Sequence, residues 1–168
     1  METFIEKENI YNKLDEITNF LIPFYGLDKD TVKKKMPEVR FDSDGYALYY
    51  HENNLLVIPE KPNEDEISEE IAHFLHYQKN PNIFSENKLA IHTFFELVAT
   101  YAKFIYFKSK GEMCPKPSGM VPGQHIRAYE MTEILFAEHG EKGLEKIAAM
   151  SLAQAKEFGK RYDWDLRY

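Results

Sequence analysis

Apolar side chains recur along this chain with two periods, and the periods mark out its elements. Ile10, Leu14, Ile17 and Leu21, with Ile5 ahead of them, repeat at helical spacing and predict an amphipathic helix over residues 3–22, ending near Pro23 and Gly26. A short helix is expected from Asp30 to Lys35, stopped before Pro37. The pattern then becomes β-like. Tyr46–Tyr50 and Leu55–Ile58 flank the turn-prone His51-Glu52-Asn53-Asn54 and predict a hairpin, closed off by Pro59 and Pro62. Asn63 is placed to cap a helix whose first turn holds Glu64, Asp65 and Glu66, where carboxylates suit the dipole. That helix should reach about Tyr77. Ser85, with Lys88 three residues on, should open a long helix to about Lys108. Three prolines and three glycines between Lys110 and Gln124 predict a loop, followed by helices over 124–139 and 141–160 broken at His139-Gly140.

The sum is a predominantly helical α+β domain, with a small β-hairpin or sheet packed on a helical bundle. One domain is expected over 1–168: an N-terminal helical segment (1–40), a core (45–155) and a short tail. Composition fits a globular chain, at 43% hydrophobic and 29% charged residues, and 12 Phe and 11 Tyr predict a core built on rings. A net charge of −7 argues against nucleic acid as partner, since a backbone binder needs a basic face. No apolar run approaches the roughly 18 residues of a membrane span. The single cysteine, Cys114, excludes an intramolecular disulfide, and the N-terminus lacks the layout of a secretion signal; both favour the cytoplasm.

Candidate chemistry sits on two helices. At about 100° per residue, Ile67, Ile71, Phe74 and Leu75 share one side of the first. Glu69, His73 and His76 form a wedge opposite, flanked by Glu66, Glu70 and Tyr77. Glu69 and His73 are one turn apart and can reach one ion; the plain alternative is the wet face of an amphipathic helix. The second helix, Leu89–Phe107, is apolar almost all round, with Glu96 and Lys103 its only formal charges. A carboxylate there needs a partner: a metal, a cation such as Arg127, or a proton of its own. His92 lies one turn before Glu96 and Lys103 two turns after it. Cys114 has no local base and reads as an incidental thiol.

A hairpin, then Glu69-Glu70-Ile71-Ala72-His73, then Phe95-Glu96-Leu97-Val98-Ala99 resembles the zincin metallopeptidases, most closely the small gluzincin type. The resemblance spans roughly residues 45–155. In that family an HExxH helix supplies two histidine ligands and a general base, and a glutamate on the next helix is the third ligand. Carried over, Glu70 matches the catalytic base, His73 the second ligand and Glu96 the third. Glu69 stands where the first histidine belongs, and His76, at i+3 from His73, is an alternative nitrogen ligand. His125 and Tyr129, one turn apart, would be placed to hold an oxyanion; otherwise they cap and pack their helix.

The substitution weakens zinc proteolysis. Two anionic oxygens and one imidazole make a poorer Lewis acid and shift preference from zinc toward manganese or magnesium. The first reading is therefore a zincin-like protein with a degenerate, proteolytically inactive site and a binding or regulatory role, holding zinc, manganese or no metal, with a peptide or protein as partner. Two others stay open: an active metal-dependent hydrolase with a Glu/His/Glu site, and a plain helical interaction domain.

Overall fold

The computed structural model describes residues 5–43, 45–85, 92–117 and 123–161. Helix α1 (Ile10–Leu21) buries Ile10, Leu14, Ile17 and Leu21 on one stripe. A 3₁₀ turn (Ile22–Tyr25) follows, and Gly26 closes it at φ 60°, a left-handed conformation that a side chain would strain. Asp28 caps α2 (Lys29–Lys34) by accepting the Thr31 N–H at 2.8 Å.

The predicted hairpin is two strands of a three-stranded mixed sheet in the order β1-β3-β2. β2 (Leu48–Tyr50) and β3 (Leu55–Pro59) pair antiparallel, and β1 (Glu38–Asp42) pairs with β3 in parallel. β1 was not anticipated from the sequence, although Val39 and Phe41 alternate with Glu38, Arg40 and Asp42, and only the apolar pair faces inward. As the central strand, β3 buries Leu56, Val57 and Ile58. β2 keeps an open edge, and Leu48 and Tyr50 are exposed beside Tyr46.

Helix α3 (Glu64–Lys79) begins in the capping box its sequence announced. Asn63 Oδ1 accepts the Glu66 N–H at 2.8 Å, and the Glu66 carboxylate accepts the Asn63 N–H at 3.4 Å. A short α4 (Pro81–Ser85) follows. The expected opening of the long helix falls largely on residues 86–91, outside the described residues; Ser85 itself ends α4. Helix α5 (His92–Ser109) is the core element: Phe94, Leu97, Val98, Tyr101 and Ala102 are wholly buried, and α3 and α6 (Gly123–His139) pack against it. Glu64 fixes the start of α3 against α5 by accepting from the Tyr106 hydroxyl at 2.6 Å and the Lys110 ammonium at 2.7 Å.

The expected final helix over 141–160 is instead two, α7 (Gly143–Ala148) and α8 (Leu152–Arg161). Ser151 interrupts it by forming a second capping box with Gln154, whose side chain accepts the Ser151 N–H at 2.8 Å. Among the described residues, no helix is long and apolar enough to cross a membrane.

Candidate functional site

Elements β2, α3, α5 and α6 each send residues into one cavity of about 330 Å³, within the range of small-ligand sites. Glu69, Glu70 and His73 come from α3, His92, Phe95 and Glu96 from α5, His125 from α6, and Leu48 and Tyr49 from the sheet edge.

Glu96 lies at its centre, 5% exposed, because α5 is covered on every side there. Its Oε2 is 3.1 Å from His125 Nδ1 and 3.8 Å from His73 Nε2, and its Oε1 is 3.6 Å from His92 Nδ1. None of these approaches gives Oε2 an aligned hydrogen bond. The partner that a buried carboxylate requires is thus a group of imidazoles, and not Arg127. Glu69 divides its two oxygens. Oε1 faces His125 Nδ1 at 3.6 Å, while Oε2 accepts a hydrogen bond from Lys103 Nζ. Lys103 is 4% exposed and also binds Asp65 Oδ1 at 2.8 Å.

Electrostatics follow from this packing. Burial disfavours a charged Glu96, but the facing His73 and His125 outweigh it and hold the carboxyl well below its ordinary range. Burial of Glu69 is likewise outweighed by Lys103 and His125, and its pKa is lowered. Burial opposes charge on His73, yet Glu96 raises it to about 9. The facing carboxylates of Glu69 and then Glu96 raise His125 to about 10. Near neutral pH three cations, Lys103, His73 and His125, therefore face three carboxylates, Asp65, Glu69 and Glu96.

Glu70 stands apart. Its Oε2 accepts the backbone N–H of Tyr49 at 2.7 Å, so it reaches the open edge of β2. Burial pushes its carboxyl up to about 7, leaving it partly protonated at neutral pH.

Glu69, Glu70, His73, Glu96 and His125 are thus brought together from among the residues singled out in the sequence; two others are not. His76 does not line the cavity. It is wholly buried, packed edge-on against the rings of Phe94 and Phe95 at 5.9 and 5.6 Å, and burial pushes it down to about 3, so it is neutral. Tyr129 lines a separate cavity with Asp65 and Cys114, and its hydroxyl donates to the Cys114 carbonyl at 3.3 Å. Cys114 is itself buried, its thiol pushed up to about 12, which suits an unreactive sulfur.

Sequence reasoning did not assign Lys103 or Asp65 a role at the site. The signal was present in α5, where Lys103 is the second charge in an apolar helix, two turns beyond Glu96 and so on nearly the same face.

Three oxygen and nitrogen atoms of this set, one each from Glu69, Glu96 and His125, lie within 4.8 Å of one another, close enough to converge on one cation. No protein-family model, curated protein or solved structure matches this chain.

Proposed function

We propose that this chain is a zincin-like protein that binds an extended peptide or protein segment at the α3–β2 cleft without cleaving it. The observation that carries the reading is the engagement of Glu70. A general base must face the attacking water, and this carboxylate is instead turned to the sheet edge, where its Oε2 accepts the Tyr49 N–H. The first ligand position supports it further, since Glu69 offers an anionic oxygen where the peptidases carry an imidazole, which weakens the Lewis acidity of any bound ion. The cleft retains the features that accept a strand: an open edge on β2, flanking apolar side chains in Leu48 and Tyr50, and a floor of alternating charge.

A peptide laid along β2 competes with Glu70 for the Tyr49 N–H. Titrating ¹⁵N-labelled protein with a pool of capped hexapeptides, in EDTA, should therefore move the amide resonances of Leu48, Tyr49 and Tyr50. Glu70→Ala, which frees that donor, should tighten binding several-fold. Unmoved edge amides in both proteins would overturn the reading.

The second reading, a working metal-dependent hydrolase, is favoured by the convergence of Glu69, Glu96 and His125. A divalent ion bound there would supply Lewis acidity. This chain's part would be to orient it through Glu96 and to release Glu70 from Tyr49.

A further inference from the structure

We infer that Glu69, Glu96 and His125 form a binding site for one divalent cation of the manganese–zinc range, with α6 supplying the nitrogen ligand. This goes beyond the peptide-binding reading, and it uses a different ligand set from the one the peptidase resemblance implies. There both nitrogens come from the α3 motif. Here, among the described residues, His73 comes within 4 Å of Glu96 alone of these two carboxylates, whereas His125 approaches both.

The spacing fits. Ligand atoms about 2.1 Å from a common ion lie about 3–3.5 Å apart. Glu96 Oε2 and His125 Nδ1 are already 3.1 Å apart, and Glu69 Oε1 is 3.6 Å from the same nitrogen. The remaining adjustment is a side-chain rotation of Glu69 or His125, both of which keep some exposure.

A second, independent observation points to a ligand. Glu96 Oε2 is buried, aimed into this space, and makes no aligned hydrogen bond to the protein. The imidazoles of His125 and His73 balance its charge without giving it an aligned hydrogen bond, and a metal ion that displaces the His125 proton to solvent would complete it. Glu69 is prepared in a complementary way. Lys103 binds its Oε2, fixing the carboxylate so that Oε1 alone faces His125, as outer partners do for ligating carboxylates.

Donor chemistry narrows the ion. Carboxylate oxygens suit magnesium, calcium and manganese, and imidazole suits zinc and its neighbours. Two oxygens and one nitrogen with open positions toward the cavity therefore select Mn²⁺ or Zn²⁺ over Mg²⁺.

The test uses the full chain, dialysed against chelator and then titrated with Mn²⁺ alone, following loss of the free-ion electron paramagnetic resonance signal, with Zn²⁺ as competitor. One site is expected, displaced by Zn²⁺. His125→Ala should weaken it at least tenfold, and His139→Gln, at a distant surface histidine, should not. Because His125 is a quarter exposed, its removal leaves the core intact, and melting curves on each variant verify that. Absence of one-site binding in the natural chain would overturn the inference. So would binding that survives His125→Ala but is lost in His73→Ala, which would put the ion on the α3–α5 set. Peptide binding in EDTA is unaffected by either result, so the two proposals fail separately.

Discussion

Replacing Lys103 by methionine should destabilise the chain by about 3 kcal/mol, toward the lower end of what is seen when one partner of a buried ion pair is removed. Methionine fills nearly the same space, so the loss is electrostatic and leaves little cavity. Without the ammonium, Asp65 and Glu69 lose the charge they share, and Glu69 keeps His125 opposite its Oε1. The cost stays at the lower end because Asp65 is about a third exposed and can turn to water. Urea denaturation of the natural and variant proteins checks this. Adding Glu69→Gln should recover part of the loss, because the stranded charge is then gone. A change near 1 kcal/mol or less, typical of surface pairs, would mean that Lys103 does not organise the site.

The second large effect concerns zinc. From the motif alone, Glu69→His restores His-Glu-Ile-Ala-His and should create a zinc site with His73 and Glu96. The structure changes that expectation. Lys103, nearly fully buried, would lose its main partner and present an ammonium to the incoming ion. We expect Glu69→His alone to bind zinc little better than the natural chain. Glu69→His combined with Lys103→Met should gain about 10–100-fold in affinity, the scale on which outer partners tune metal sites. The double variant should also melt higher on adding zinc, since a ligand held only by the native state stabilises it. Calorimetric titration of the three proteins separates the cases. Equal affinity in single and double variants would show that Lys103 does not govern the site.

How much of this was legible in the sequence depended on whether a feature is local. The Asn63 cap, the apolar girth of α5 and the β2–β3 hairpin depend on residues near one another, and each is found close to where the pattern puts it. The need of Glu96 for a partner was also legible, because a charge in an all-apolar helix states its own problem. Which partner answered it was not. His125 arrives from α6, and no periodicity in the sequence encodes how α6 docks against α5. β1 escaped for a related reason: its parallel pairing with β3 depends on a non-local crossover, whereas a hairpin advertises itself through its turn. His76 shows the limit of the wheel. It shares an angular wedge with Glu69 and His73, but the first turn of α5 covers that end of α3 with Phe94 and Phe95. The wedge faces the cavity at His73 and the core one turn later.

The most direct measurement of the central claim is cleavage of a diverse peptide library by the purified chain, read by mass spectrometry, with chelator, with Zn²⁺ and with Mn²⁺, beside Glu70→Gln. With Glu70 bound to the sheet edge and Glu69 bound to Lys103, the account predicts no products above background in any condition, and no difference between the two proteins. Cleavage that chelator abolishes and Glu70→Gln removes would contradict it and make this chain a working peptidase.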